Sequence, residues 1–450
     1  MMGFNVYLTG QAGSGKTYLL NQYIKFLKDQ GVAVAVTAST GIAATHLSGQ
    51  TIHSWAGIGI RAELSDKDLS RIAAKPQVRD RVRKARVLII DEISMLHAKR
   101  LDLVNSVCKY IRKNDASFGG LQIILCGDFF QLPPVSESED PKSEFAFYSH
   151  AWEEANLKVC YLDEQHRQWD EEFLRVLNDI RSQDVSEGTF EKISTRLNAA
   201  LPEGIKPTRL YTHNIDVDAI NTAQLGRLKG LDHTYDMTFS GDEDLALSLS
   251  KGCLAPQRLV LKAGARVMFV KNNPAKGYVN GTLGEVLNFD EEDFPVVRTG
   301  NGREINVPPA SWILEDKDKP VAEISQIPLR LAWAITVHKS QGMSLDAAEI
   351  DLSKSFTFGM GYVALSRVRS LSGIKLLGIN QMAFRVNETV GQVDSQFQSV
   401  SRLISTEIEA MAGSQIKDAQ SKFLGSLIQN PLEVSGSSFF NDLYKKYFSS

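Results

Sequence analysis

The segment GQAGSGKT, residues 10–17, constrains this chain more than any other. It follows the β-prone run FNVYLT (4–9) and opens the helical pattern KTYLLNQYIKFLKDQ, which Gly31 ends. Gly10, Gly15, Lys16 and Thr17 fit G-x-x-x-x-G-K-[ST] in the strand–loop–helix setting that this motif requires. Glycines let backbone N–H groups close around phosphates, with Ala12, Gly13 and Ser14 completing the cradle, and the start of the helix adds positive potential. In such a loop Lys16 reaches the β- and γ-phosphates and the Thr17 hydroxyl ligates Mg²⁺, so ATP and Mg²⁺ are the expected cofactors.

A phosphate loop of this kind sits on a parallel sheet, and the following segments supply one. All-apolar runs at VAVAV (32–36), VLII (87–90) and LQIIL (121–125) alternate with helical stretches such as AKRLDLVNSVCKYIRK. That alternation indicates parallel strands covered on both faces. VLIIDE places Asp91 and Glu92 at the carboxyl end of one strand, where Asp91 can hold Mg²⁺ and Glu92 can orient and deprotonate an attacking water. ILCGDFFQLPPV stops another strand at Gly127-Asp128 and fixes Gln131 before Pro133 and Pro134, either to bond a γ-phosphate or to close a turn.

RLYT (209–212), LRLAWAIT (329–336), AEIDL (348–352) and IKLLGI (374–379) predict a second α/β unit. Between them ARVMFV, TLGEVLNF, PVVRTGNGREINV and AEISQI, with an Asn301-Gly302 hairpin signal, predict an inserted small β-barrel. Past Asn387, Val393, Phe397, Val400, Ile404, Ile408 and Met411 recur every three or four residues, which predicts an amphipathic helix packed on the body.

At 450 residues the chain exceeds one compact core. Its net charge of −3 offers no general attraction for nucleic acid, so any such contact needs locally sorted charge. Between Arg71 and Lys113 twelve Lys or Arg stand against four acids, either a solvated helical face or a phosphate-attracting patch. Cys108, Cys126, Cys160 and Cys253 form no close pair that would open a zinc site or redox motif, which suits a reducing compartment. No window nears the roughly 18 apolar residues of a membrane span, so a cytoplasmic protein without a membrane partner is expected.

GQAGSGKT, TASTGIAA, TIHSW, DEISML, YIRKNDASFGGLQIILCGDFFQLPPV, EQHRQ, TVHKSQGMSLD and YVALSRVR stand in the order found in superfamily-one helicases. The stretch through GDFFQLPP resembles the Pif family, and the resemblance spans residues 3 to about 380. It implies an α/β protein with two RecA-like P-loop domains. The first would be 1–158 with a wedge insertion at about 56–76, and the second 159–265 plus 325–385. A small β-barrel (266–324) would interrupt the second, and 386–450 would form a helical extension. The implied activity is a monomeric, ATP-driven 5′-to-3′ DNA helicase of genome maintenance, with ATP in the cleft and single-stranded DNA across the top. Single-strand/duplex junctions would be its substrates, with quadruplexes and RNA–DNA hybrids as further candidates.

By this resemblance Lys16, Thr17, Asp91 and Glu92 keep the roles given above, and Gln131 becomes the γ-phosphate sensor. Arg167 and Arg367 become arginines reaching in from the second domain. Thr37, Ser39, Thr40, His53 and Trp55, with Thr336, His338 and Lys339, match the segments that hold the DNA strand. Hydroxyls there donate to phosphates, while His53, Trp55 and His338 offer flat faces to bases. Two other readings share the P-loop: a protein-remodelling ATPase, whose hydrolysis would ignore DNA, and a RecD-like subunit, which would not unwind alone. Family members carry a glutamine-containing adenine-reading segment ahead of the first strand. Three residues precede Phe4 here, so modest base selectivity is expected, with GTP within about tenfold to thirtyfold of ATP.

Overall fold

A computed structural model describes residues 2–427 apart from 48, 60, 62, 135–144, 169, 203–206, 272, 279–280 and 317–318. The first sheet contains β1 (Val6–Gly10), β2 (Val34–Ala38), β3 (Gln50–Thr51), β4 (Val87–Asp91), β5 (Gln122–Cys126) and β6 (Lys158–Leu162). All are parallel, in the order β3-β2-β4-β5-β1-β6. The helices α1 (Lys16–Asp29), α2 (Gly41–His46), α3 (Ile52–Ala56), α4 (Asp66–Ala74), α5 (Pro76–Lys84), α6 (Ala98–Arg112) and α7 (His150–Glu154) connect them. Every residue of β4 and β5 is buried, as continuous apolar runs in a doubly covered sheet must be. Helix α1 buries Leu20, Ile24 and Leu27, one helical face, and ends where Gly31 takes φ +72°. Strand β6 bonds β1 along its whole length, so the first sheet runs to Leu162 and a second unit does not begin at 159.

Helices α8 (Glu171–Ser182) and α9 (Glu187–Ser194) lead to β7 (Thr208–Tyr211) and α10 (Asn214–Arg227). The chain then leaves that strand for β8 (His233–Asp236), β9 (Thr238–Gly241), α11 (Glu243–Gly252), β10 (Arg258–Leu261), β11 (Arg266–Phe269), β12 (Leu283–Phe289), β13 (Pro295–Thr299), β14 (Glu304–Asn306), β15 (Ala310–Asp316), β16 (Lys319–Gln326) and β17 (Leu329–Leu331). It returns through β18 (Ala334–Thr336), β19 (Ala348–Leu352), α12 (Met360–Ser366) and β20 (Ile374–Ile379) to complete a parallel sheet ordered β18-β7-β19-β20.

The intervening strands make three antiparallel groups: β14-β13-β12-β11-β17, β10-β8 and β15-β16-β9. AEISQI therefore lies in β16 against β15 and β9, outside the five-stranded sheet, and the excursion begins at 233 rather than 266. LRLAWAIT is two strands, because its first half pairs antiparallel with β11 and its second parallel with β7. The break is held by Asn221, whose amide bonds both the N–H and the carbonyl of Ala334.

Asn387 caps α13 (Glu388–Glu409), which lies along β6, and α14 (Gly413–Leu427) adds Leu424 and Leu427 to the core around Leu20 and Ile24. Phe397 joins an aromatic cluster with Tyr7 and Trp152, with ring centroids 5.0 and 6.0 Å away. The helix does pack on the body, but its buried face runs through Val390, Asp394 and Ser401, while Val400 and Met411 are exposed. Polar residues on the packed side are what shift the face from the expected apolar stripe.

Candidate active site

Strand β1 delivers the chain into the phosphate loop, where Gly10, Gly13 and Gly15 all take positive φ. A Cβ at Gly13 would stand 2.8 Å from the Arg167 Cβ, so only glycine fits beneath the segment 164–168. Lys16 donates from Nζ to the carbonyls of Gly10 (2.8 Å) and Gln11 (2.9 Å). Burial pulls its pKa below the ordinary lysine value, against which Asp128 acts. Ser14 Oγ is buried without a partner in the loop. With the glycine cradle, this polar atom shows a loop that fits a polyphosphate.

Asp91 and Glu92 stand at the carboxyl end of β4 as the sequence indicates. Burial raises both pKa values, with Cys126 and the Glu92 N–H (2.9 Å) opposing it at Asp91. Glu92 is pushed up to about 7, first by burial and then by Asp91. Gln341 Nε2 donates to Glu92 Oε2 at 3.0 Å, and Ser39 Oγ donates to the Glu92 carbonyl at 2.7 Å. Gln131 lines the same space, its Nε2 3.3 Å from Asp128 Oδ2.

The opposite wall carries Arg367 at the end of α12, with Arg369 and Ser344. Arg167 hangs from the loop after β6, so it comes from the first sheet and donates to the Ser366 carbonyl at 3.0 Å. Burial lowers the pKa of both Arg167 and Arg367, and Arg367 lowers Arg167 further. Two buried guanidinium groups that oppose one another lose that repulsion beside a polyanion. Together these residues enclose a cavity of about 410 Å³ with Lys16, Thr17, Glu92 and Gln131.

The strand-holding candidates divide by depth. Thr37 is wholly buried and donates to the Ile89 carbonyl (2.6 Å), and Trp55 lies in the core. Neither forms a surface, contrary to expectation, because both residues fill space beneath it. Thr336 is likewise buried, with Oγ1 accepting from the Lys339 N–H at 3.3 Å. Thr40 accepts from the Ala43 N–H at 3.2 Å. His53, His338 and Lys339 are half-buried, and burial lowers the pKa of all three. The rings of His213 and His338 lie 5.0 and 6.4 Å from the exposed Phe356, an aromatic group at the carboxyl ends of β7, β18 and β19. Nothing in an isolated YTHN or SKSF marks His213 or Phe356. Of the wedge, α4 carries a Ser65–Asp68 capping box, and residues 60 and 62 lie outside the described set.

Arg181 is a further residue that sequence reading missed. It sits in α8 as one more basic residue after an apolar face, yet is buried with Asp128 (2.8 and 2.9 Å) and Asp394 (3.3 Å). Burial pulls its pKa down, but Asp128, Tyr362, Tyr161 and Asp394 outweigh it and hold the pKa above the ordinary arginine value. Among the described residues, no group of three or more His, Cys, Asp or Glu could hold a metal by itself, and no helix is long and apolar enough to cross a membrane.

The profile of the PIF1-like helicase family matches residues 1–189, and that of the DNA helicase Pif1 2B domain matches 244–289. The ATP-dependent DNA helicase Pif1 of Psychrobacter sp. is 43% identical over 482 aligned positions, covering 94% of this chain and 73% of that protein. The ATP-dependent DNA helicase PIF1 of Xenopus laevis is 37% identical over 91% of this chain, which spans 64% of its length. Among solved structures, Pif1 helicase from Candida albicans superposes with a TM-score of 0.74 at 36% identity, covering 88% of this chain and 96% of that one. Pif1 helicase from Bacteroides in complex with ADP-AlF3 and ssDNA gives 0.63 at 31%, covering 89% and 94%.

Proposed function

Because this chain belongs to the PIF1-like helicase family and is an ATP-hydrolysing DNA helicase of the Pif1 type, we propose that it moves 5′ to 3′ on single-stranded DNA and unwinds the duplex ahead. The observation that carries the reading is the cavity between Lys16 and Thr17 on one side and Arg367 and Arg369 on the other. Bound Mg²⁺·ATP supplies the phosphoanhydride and the metal's charge; Thr17 and Asp91 would hold the metal. Glu92, fixed by Gln341, takes a proton from the attacking water. Lys16, Arg167 and Arg367 stabilise charge on the transferred phosphoryl group, and Gln131 reports the loss of the γ-phosphate.

In this reading Ser39 and Gln341 link the chemistry to the DNA strand: both touch Glu92, and they are chain neighbours of Thr40 and of His338 and Lys339. His338, Lys339, His53 and Thr40 meet the strand in this reading, while Thr37, Trp55 and Thr336 support them from below. Residues through Leu162 form the first motor domain, the sheet of β7, β18, β19 and β20 the second, and 233–331 the insertion. The chain works in the cytoplasm as a monomer at single-strand/duplex junctions, with quadruplexes and RNA–DNA hybrids as further substrates.

The test is unwinding of 5′-tailed and 3′-tailed duplexes by the isolated chain. ATP-dependent separation of the 5′-tailed substrate alone is expected. Separation of the 3′-tailed substrate alone, or hydrolysis indifferent to DNA, would overturn the proposal.

A further inference from the structure

The packed side of α13 carries Asp394, Gln398 and Ser401 at i, i+4 and i+7, where an amphipathic helix ordinarily places apolar residues. Each is engaged. Ser401 Oγ accepts from the Tyr161 N–H (3.0 Å), Gln398 donates to Asp394 (2.9 Å), and Tyr161 OH donates to Asp394 (3.0 Å). Asp394 in turn reaches Arg181 Nη2, and Arg181 Nη1 grips both oxygens of the wholly buried Asp128. Asp128 accepts from the Phe130 N–H (3.2 Å) and from the side-chain amide of Gln131 (3.3 Å).

A second arm leaves the same guanidinium. Tyr362 OH lies 3.4 Å from Arg181 Nη1 and accepts from the phosphate-loop N–H of Ala12 at 3.1 Å. Tyr362 belongs to α12, which ends at Arg367. Gly359, just before that helix, sits so close to the carbonyls of Phe130 and Gln131 that a Cβ would come within 2.5 Å. One buried cation is thus bonded to the Gln131 loop, to a phosphate-loop partner and to a helix from beyond the motor domains. Fold stability does not by itself require such a network, since buried ion pairs are often replaced by apolar residues without loss.

We propose that Arg181 is a positioning residue for ATP hydrolysis, and that α13 sets it through Asp394. Arg181 does not line the nucleotide cavity. It holds Asp128, which accepts from the side-chain amide of Gln131, and Gln131 lines the cavity. The inference rests on the reading of Gln131 as the γ-phosphate sensor.

The test uses the full chain with saturating single-stranded DNA and compares Asp394→Ala, Asp394→Asn, Gln131→Ala and the double variant Asp394→Ala/Gln131→Ala. Displacing a positioned group by a fraction of an ångström to 1 Å costs up to about a hundredfold, so Asp394→Ala is expected to lower kcat at least tenfold with KM for ATP within threefold. Asp394→Asn keeps an oxygen for Arg181 and Tyr161 and should recover kcat to about threefold below wild type. The double variant should be no slower than Gln131→Ala, because both changes disable one sensor. Unchanged kcat in Asp394→Ala, or multiplying effects in the double variant, would overturn the proposal. If Gln131→Ala itself keeps full kcat, the sensor reading falls first. Arg181→Met, which risks misfolding by leaving two carboxylates buried, is replaced by Tyr362→Phe. That variant keeps the ring, removes only the hydroxyl between Arg181 and the Ala12 N–H, and should lower kcat with KM for ATP within threefold; unaltered kcat there would overturn the link from Arg181 to the phosphate loop.

Discussion

Glu92 has φ +51°, in the left-handed region that a residue with a Cβ seldom occupies, at the turn that aims its carboxylate into the cavity. Its N–H is held by Asp91 and its carbonyl by Ser39, which fixes the turn from both sides. Burial and the neighbouring Asp91 place its pKa at about 7, so near neutral pH part of the enzyme carries a protonated base. A base with a raised pKa is active only above it. Hydrolysis should therefore rise about tenfold per pH unit below 7 and level off above, an acid limb that belongs to the Asp91–Glu92 pair. A profile of kcat/KM for ATP at saturating DNA checks this. Glu92→Gln should lose about 10² to 10⁴ in rate together with that limb, and a flat wild-type profile would contradict the assignment. Identity and order of these carboxylates were legible from VLIIDE. The partner of Glu92, Gln341, was not, because it lies 249 residues away.

At the scale of elements, the basic stretch from Arg71 to Lys113 turns out to be part scaffold. Arg112 donates Nε to the Gly119 carbonyl (2.7 Å) and Nη1 to those of Val82 and Ala85 (3.0 Å each), closing the end of α5 and the turn before β5. Arg81 caps α3 by donating to the carbonyls of Ser54 and Trp55, and Arg83 donates to that of Ile111. Planar guanidinium forks serve carbonyls left over at helix ends, which a lysine cannot match. Arg112→Ala should destabilise the first domain by about 2–3 kcal/mol, and Arg112→Lys should recover less than half of that. Thermal unfolding decides it, and a melting temperature unmoved by Arg112→Ala would refute the bracing role. LRLAWAIT shows the opposite limit of sequence reading. Its apolar run is legible, but the break after Leu331 exists only because two sheets of different direction compete for it.

For the whole molecule, the net charge of −3 leaves DNA affinity to local fields. With Arg81, Arg83 and Arg112 bonded to carbonyls and Lys109 paired with Glu154, part of the twelve-residue surplus is committed inside the fold. On the reading proposed above, the exposed Lys75, Lys84, Lys99 and Lys113 and the hydroxyl-bearing segments meet phosphates rather than base edges. Single-strand affinity should fall with salt at a log-log slope near −0.7 per phosphate neutralised, almost alike for mixed sequences. A salt-independent affinity, or a strong preference for one short unstructured sequence, would contradict this. The sequence by itself determined the phosphate loop, its carboxylates, the two parallel sheets and the helix after Asn387, because each is written in residues adjacent along the chain. Tertiary structure alone decided that β6 belongs to the first sheet, that Trp55 and Thr37 lie beneath the surface, and that Arg181 joins Asp128 to Asp394. Those outcomes depend on which distant segments share a sheet edge or a buried charge, and pairing energies of that kind leave no periodic mark on either partner.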